Sequence, residues 1–296
     1  MEPFARAKRA RRDQRPVIER LLLAGDVGLA AHKRLHRYFP SASIEWAGRG
    51  QKAYEVFVEG DRFSRPVNVS LFEHDRRNLD KEWRSLSRRL VAAAGTEALD
   101  DVSGVDGALY TLLMSAACLA DLISPSPAPP GTFMELLIGP VLGVLSGRPE
   151  TGAVTLEPAP GTFETITVDM KFEEDGEPTL VVPTKLTSRE RIVQPYVHQR
   201  ILDSADPGGF RSILVASSEN NVLLKNRRER KTRANSRVSD TLVPGTIALY
   251  QRYIAELSGI YYLDPPAPYI DGAYAGLPPI RRVSQLLDED LRGLLH

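Results

Sequence analysis

The sequence of 296 residues has a single cysteine, no excess of charge of either sign and no long apolar run. Cys118 cannot form an intramolecular disulfide, so we expect a reducing compartment and a small, buried apolar role for this residue. No stretch approaches the roughly 20 apolar residues of a membrane span, and the start, MEPFARAKRARRDQR, lacks the apolar segment of a signal peptide. These features predict a cytoplasmic protein with no membrane partner.

The balance of charge leaves the class of partner open. The formal net charge is zero, and the chain is 42% hydrophobic and 26% charged, as is usual for a globular protein. A surface for nucleic acid would therefore have to come from a local basic cluster. Two stretches are basic enough: residues 1–15 and the segment LKNRRERKTRANSR, Leu224 to Arg237.

The segment SPSPAPPG, Ser124 to Gly131, has four prolines in eight residues and is the clearest linker in the chain. Before it, residues 1–123 predict a mostly helical region. Its long helix RPVIERLLLAGDVGLAAHKRLHRYF is followed by short strands in SIEWAGRGQKAYEVFVEG and RPVNVSLFE, and then by two more helices. This region would contact DNA or form a dimer interface.

Residues 131–296, beyond the linker, form the region expected to carry the chemistry. Its pattern predicts a helix in TFMELLIGPVLGVLSG, a strand in AVTLEP, a hairpin of TITVDMKFE and TLVVPTK, a helix in PYVHQRILDSA and a strand in GFRSILVASS. The last strand would lie beside the hairpin through a helical crossover. We therefore predict an α/β fold, with a mixed central sheet flanked by helices and a mostly helical N-terminal region.

Lys185 ends the apolar strand TLVVPTK, where a lysine is costly unless an anion meets it. Across the hairpin, Asp169 should reach the same end of the ladder, so a simple cross-strand ion pair is one interpretation. A functional site is the other. Glu135 is a lone acid on an apolar helix, and the sequence TSRER follows Lys185 at the strand end where α/β sheets usually place ligands.

This order of elements resembles the core of the PD-(D/E)xK nucleases: a helix with Glu135, a hairpin with Asp169, and Lys185 at the end of the next strand. The segments TKLTSRERIVQ and IALYQRYIAELSGIYYLDPP are similar to segments of type II restriction endonucleases, so the resemblance covers about residues 131–266. It implies a restriction-endonuclease-like core. It also implies Mg²⁺ bound by Asp169 and Glu135, and a set of catalytic residues: Asp169, Lys185, Glu135 and Glu190.

One position departs from the pattern of this family. The acid expected two residues before the lysine is Pro183, so Glu190 or Glu135 would have to supply the missing carboxylate. A second registration of the motif, Asp169-Met170-Lys171, is also open. It is disfavoured because FEEDGE follows, which makes Lys171 a solvated hairpin residue.

The segments TSRER and LKNRRERKTRANSR near the predicted strand ends are candidate DNA contacts, because arginine and lysine bind phosphate while arginine and asparagine also read base edges. The alternative for such a run is a solvated face. The residues predicted to contact DNA are Arg189, Arg191, Lys225, Arg227, Arg228, Arg230, Lys231, Arg233, Asn235 and Arg237. His198, on the helix after Lys185, is expected to pack or to make a polar contact.

Together these features predict a Mg²⁺-dependent type II restriction endonuclease that hydrolyses double-stranded DNA at a specific sequence. The family implies a homodimer, because a palindromic site mirrors a two-fold protein. It also implies a companion methyltransferase that protects the host DNA. Two alternatives stay open: a repair or recombination nuclease on the same core, and a non-catalytic DNA-binding protein with a degenerate core.

Overall fold

A computed structural model describes residues 2–48, 51–123, 128–187 and 191–296 of the chain. The chain forms two compact units, each built from three stretches. The first unit comprises residues 1–88, 104–137 and 219–241, and the second comprises residues 89–103, 138–218 and 242–296. The functional division at the proline-rich linker stays a prediction, since residues 124–127 lie outside the described part and neither unit is one continuous stretch.

Helices dominate the first unit, as the sequence predicts. They are α1 (Glu2–Arg12), α2 (Val17–Tyr38), most of α3 (Arg76–Ala92), α4 (Val105–Ile123) and the start of α5 (Ala128–Ser146). Cys118 is fully buried on α4, and burial raises the pKa of its thiol to about 12. Its expected role as a small buried apolar residue is therefore confirmed.

A mixed sheet completes the first unit, and sequence reasoning missed the two strands that residues 219–241 contribute to it. The strands are β1 (Ser41–Trp46), β2 (Tyr54–Glu59), β3 (Arg62–Phe63), β4 (Val67–Asn68), β10 (Asn220–Leu224) and β11 (Ser236–Asp240), in the order β10-β11-β1-β2-β3 with β4 also paired to β2. Strands β10 and β11 enclose the basic run, which the sequence predicted as a loop. They escaped notice because β10 is short and β11, SRVSD, is mostly polar. Strand β11 pairs with β1, which is distant in sequence, and β10 pairs with β11.

The second unit is the predicted α/β core. Its helices and turns are the remainder of α5, α6 (Val193–Ala205), α7 (Pro244–Tyr253), α8 (Ala267–Ile270), α9 (Val283–Gln285), a π-helical turn (Leu286–Asp290) and α10 (Leu291–Leu295). Its strands are β5 (Glu150–Ala159), β6 (Thr162–Phe172), β7 (Thr179–Val181), β8 (Thr184–Lys185), β9 (Phe210–Ser218), β12 (Gly259–Asp264) and β13 (Ile280–Arg282). The predicted mixed sheet with flanking helices is confirmed.

The strand order of this sheet is β13-β12-β9-β7-β6-β5, with β8 also paired to β9. Strands β5, β6 and β7 are antiparallel neighbours, whereas β7, β8, β12 and β13 all run parallel to their partners on the β9 side. Helix α6 makes the crossover from β8 to β9. The carboxyl ends of β8, β9 and β12 therefore meet at one edge of the sheet, where ligands usually bind in open α/β sheets.

The predicted strand TLVVPTK is in fact two short strands, β7 and β8, separated by Val182 and Pro183. Proline has no backbone N–H to donate to a ladder, so it interrupts a strand that has a partner on each side. Strand β7 pairs with both β6 and β9, but β8 pairs with β9. The interruption leaves the end of the hairpin open on the side of β8.

Helices α4 and α5 contain stretches, Val105–Ile123 and Pro129–Ser146, that are long and apolar enough to cross a membrane by length and composition alone. Apolar stretches of this length were not expected from the sequence. Within these stretches 61% and 78% of the residues are buried inside the fold. Burial in a protein core accounts for their composition, as in other core helices.

Two glycines of α2 allow neighbouring helices to approach closely. A methyl group on Gly25 would overlap the indole ring of Trp83 on α3, and one on Gly28 would lie 2.6 Å from Cδ2 of Leu112 on α4. The second contact also involves backbone, because the Cα of Leu112 is 3.1 Å away. The packing of α2 on α4 therefore depends on the absence of a side chain at Gly28.

We predict that Gly28→Ala lowers the free energy of unfolding. Overpacking costs about 1–3 kcal/mol, and the better helix propensity of alanine offsets only about 1 kcal/mol of this. Gly107→Ala on α4 is the matched control, because the nearest atom to its added methyl group is 3.6 Å away. It should be neutral or stabilise by up to about 1 kcal/mol. Urea denaturation of both variants measures the difference, and equal stability would contradict the close approach of the helices.

Candidate active site

A bulge in β6 presents Asp169. Between the pairs Thr151–Lys171 and Ala153–Thr167 the register shifts, so that residues 168–170 of β6 face one residue of β5. Extra residues of this kind bend a strand and re-aim a side chain, and they are frequent beside active sites. The bulge lies next to the hairpin end left open by Pro183, which is where Asp169 meets β8.

Asp169 and Lys185 are in direct contact. Oδ2 of Asp169 accepts a hydrogen bond from the backbone N–H of Thr184 at 2.7 Å and one from Nζ of Lys185 at 3.2 Å. Nζ of Lys185 also donates to the carbonyl oxygen of Thr184 at 2.9 Å. The side chain of Lys185 is 14% exposed and that of Asp169 is 27% exposed. A carboxylate thus meets the lysine at the strand end, as the hairpin pattern predicts, and both groups can still be reached from solvent.

Pro183 offers no ligand of its own. Its ring replaces the expected acid, and its carbonyl oxygen accepts a hydrogen bond from the N–H of Val215 in β9 at 3.0 Å. That carbonyl is therefore part of the sheet ladder. The missing second carboxylate has to come from another element or be absent.

Glu135 has a different partner from the one that the sequence suggested. It lies on the part of α5 that belongs to the first unit, where Oε2 accepts a hydrogen bond from Nη1 of Arg11 on α1 at 2.5 Å. Both side chains are 26% exposed. Because Arg11 already meets the charge of Glu135, this acid does not need a metal ion to balance its charge. The catalytic and metal-binding roles of Glu135 stay predictions.

The segment after Lys185 is only partly described. Arg189 and Glu190 lie outside the described residues, whereas Arg191 is exposed just before α6. The predicted roles of these three residues stay predictions.

In the loop between β10 and β11, residues 225–235, some basic side chains contact other residues of the protein and others are exposed to solvent. Nζ of Lys225 lies 2.6 Å from Oε2 of Glu45, and Lys231 lies over the ring of Phe63 at 5.3 Å. The Lys225 hydrogen bond and charge, followed by the charge of Arg237, lower the pKa of Glu45. Exposed arginines carry the rest of the basic character: Arg227, Arg228, Arg230 and Arg233.

Asn235 holds the loop together. Its Oδ1 accepts the N–H of Thr232 at 2.8 Å, and its Nδ2 donates to the carbonyl oxygen of Arg230 at 2.5 Å. These bonds occupy the amide in the 3₁₀ turn Arg233–Asn235, so the predicted reading of bases would require them to break. The exposed arginines are the better candidates for contact with a polyanion.

His198 was given only a packing or polar role by sequence reasoning. It is half-buried on α6. Burial lowers the pKa of its imidazole, the charge of Lys185 lowers it further, and the charge of Asp169 opposes both. The signal in the sequence was its position on the crossover helix directly after the strand that ends at Lys185.

The donor set suits a hard divalent cation. Mg²⁺ keeps several waters and usually takes one or two protein carboxylates, so the carboxylate of Asp169 fits it. Across residues 2–48, 51–123, 128–187 and 191–296, no group of three His, Cys, Asp or Glu side chains converges as a metal cage. The protein would thus hold such an ion through few side chains.

Solved structures with a similar fold exist, although no protein-family profile and no curated protein sequence matches the chain. The crystal structure of the type IIP restriction endonuclease Kpn2I is similar with a TM-score of 0.81 and 26% identity, over 99% of this chain and 96% of that chain. The complex of the restriction endonuclease PspGI with substrate DNA is similar with a TM-score of 0.46 and 13% identity, over 74% of this chain and 92% of that chain. The likeness to Kpn2I extends over nearly the whole length of both chains. The resemblance to type II restriction endonucleases indicated by the sequence is therefore confirmed, and the chain has a restriction-endonuclease-like fold.

Proposed function

We propose that this protein is a type II restriction endonuclease that hydrolyses phosphodiester bonds of double-stranded DNA at a specific sequence with Mg²⁺. The observation that carries the proposal is the likeness to Kpn2I over 99% of the chain. A fold alone does not establish a function. The contact of Asp169 with Lys185 at the open end of the hairpin is a second, independent support for the proposal.

Lys185 would act on the phosphate and on the attacking water. Its ammonium group is held in one place by Asp169 and by the carbonyl oxygen of Thr184. A fixed positive charge near the scissile phosphate stabilises the negative charge that develops during hydrolysis, and it costs no reorganisation at that moment. The low exposure of the side chain strengthens this effect, since less water screens the charge.

Asp169 would hold the metal ion. The N–H of Thr184 and the ammonium of Lys185 both donate to its Oδ2, which fixes the orientation of the carboxylate. A bound Mg²⁺ would lower the pKa of a coordinated water and polarise the phosphate. The two residues thus divide the task, with one anion for the metal and one cation for the phosphate.

The loop of residues 225–235 would contact DNA through its exposed arginines. Their charge is available to phosphates, and the 3₁₀ turn fixed by Asn235 gives the loop a defined shape. A palindromic recognition sequence would be read by two copies of the chain related by two-fold symmetry, so we propose a homodimer on DNA.

Cleavage of unmethylated plasmid DNA tests the proposed function. With Mg²⁺ the protein should give discrete bands, and EDTA should abolish them. Lys185→Ala and Asp169→Asn should each lower the rate by about a hundredfold or more, because each removes a group that acts on the transition state. Both variants should keep the circular dichroism spectrum and the DNA affinity of the unmodified protein.

Lys171→Ala is the matched control. Lys171 belongs to the second registration of the motif, but its Nζ is bound to Oε1 of Glu173 at 2.6 Å. We expect it to keep nearly full activity. Loss of cleavage in Lys171→Ala but not in Lys185→Ala would reverse the assignment. Smeared products would favour a repair nuclease, and intact but retarded DNA would favour a binding protein with a degenerate core.

The salt dependence of binding tests the basic loop. Replacing Arg227, Arg228 and Arg230 with alanine should reduce the magnitude of the negative slope of log K against log salt by up to about 3, because each phosphate contact contributes about −0.9. Lys225→Ala should change the slope less, since its ammonium is already engaged by Glu45. Fluorescence anisotropy in EDTA measures both slopes, and an unchanged slope for the triple variant would exclude the loop from the interface.

A further inference from the structure

We propose that His198 is a second metal-binding residue of the Asp169–Lys185 site, in the role that Pro183 leaves open. Its imidazole would make the site bind nitrogen-preferring divalent ions more tightly than a pair of carboxylates would. The inference rests on the proposed nuclease function and names a residue for the metal of that same site. Three features of the second unit support it.

The first feature is the direction of α6. Strands β7, β8 and β9 are parallel, and α6 connects β8 to β9. A crossover helix must run back from the carboxyl ends of the strands to their amino ends. The N-terminal half of α6, which contains His198, therefore lies toward the edge of the sheet where Lys185 ends β8.

The second feature is the face of α6 on which His198 lies. Leu202 is fully buried one turn later, in a cluster with Val168 and Val181. Residues four apart on a helix share a face, so His198 faces the sheet one turn closer to its carboxyl edge. Val168 directly precedes Asp169, and Val181 lies two residues before Pro183. A side chain on this face can reach toward the bulge and the gap beside it.

The third feature is electrostatic. Burial lowers the pKa of the His198 imidazole most, the charge of Lys185 lowers it further, and the charge of Asp169 raises it. The two groups that define the site are therefore also the charged neighbours of the ring. Gln199, the next residue on the helix, is committed elsewhere, because its Nε2 donates to Asp203 and to the carbonyl oxygen of Phe210.

The chemistry of the proposed pair differs from that of two carboxylates. Mg²⁺ prefers oxygen ligands, whereas imidazole binds the later first-row ions better, and affinity rises from Mn²⁺ through Co²⁺ to Ni²⁺. A site with one carboxylate and one imidazole should hold Co²⁺ more tightly than Mg²⁺. Water and phosphate oxygens would fill the remaining positions, which agrees with the lack of a three-residue cage in the described ranges.

The test compares Co²⁺ and Mg²⁺, both as bound ions and as activators of DNA cleavage. Isothermal titration of the full chain with Co²⁺ measures binding without any reaction. His198→Ala should weaken Co²⁺ binding by at least about tenfold, the lower bound for loss of a supporting group around a metal. His198→Glu should keep the cleavage with Mg²⁺ that His198→Ala loses. Relative to the unmodified protein, it should lower the ratio of Co²⁺ to Mg²⁺ activity by about tenfold or more.

His296→Ala is the matched control in the same unit. This histidine is exposed and its Nε2 lies 2.8 Å from Oε2 of Glu97, so it is another imidazole beside a carboxylate. Its loss should leave the metal preference of cleavage unchanged. Asp169→Asn should weaken Co²⁺ binding together with His198→Ala, because both residues would hold the same ion.

The outcomes separate this inference from the proposed function. Cleavage that falls equally with both metals in His198→Ala, while Co²⁺ binding is unchanged, would leave a nuclease and overturn the role of His198. Absence of cleavage by the unmodified protein, with Co²⁺ binding that needs both His198 and Asp169, would overturn the nuclease and support the metal pair. A His198→Glu protein that is folded but inactive with Mg²⁺ would also contradict the inference.

Discussion

The candidate active site depends on the hydrogen bonds that Asp169 accepts from the end of β8. A lysine at the end of a buried strand requires an anion, and the carboxylate supplies it while also binding the N–H of Thr184. Two irregularities bring these groups together. The bulge re-aims Asp169, and Pro183 separates β7 from β8 so that the hairpin ladder ends at that point. Each irregularity weakens the sheet locally, and the ion pair compensates by tying β6 to β8.

The same irregularities give the site its chemistry. A strand that followed the family pattern would carry an acid at position 183, and its ladder would continue past that position. With proline there, one carboxylate and one lysine remain on the sheet, and under our proposal a further ligand comes from the crossover helix. Helix α6 suits this task because Leu202 anchors it to β6 and β7, while its N-terminal half reaches the carboxyl edge. A rigid helix packed on a sheet positions a side chain more accurately than a loop does.

The basic loop illustrates how local structure decides which charges are available. In sequence, the arginines, lysines and Asn235 of this run look equivalent. In the fold, Glu45 engages Lys225, the ring of Phe63 lies under Lys231, and backbone bonds hold Asn235. The arginines Arg227, Arg228, Arg230 and Arg233 are exposed to solvent. Glu135 shows the same principle, because a lone acid in an apolar helix proved to have an arginine partner from another helix.

The sequence by itself determined most elements of the α/β core from α5 to β9, the turn of the hairpin and the meeting of Asp169 with Lys185, because these depend on local periodicity and on pairing across a short turn. Only the tertiary structure decided the strands that enclose the basic run, the partner of Glu135 and the half-buried position of His198. Strands β10 and β11 are short, and β11 is largely polar, so they carry little pattern of their own. An ion pair between residues 124 positions apart has no signature in the spacing of either segment. The face that a helix turns to a sheet is likewise fixed by packing, here by Leu202, and not by the letters around His198.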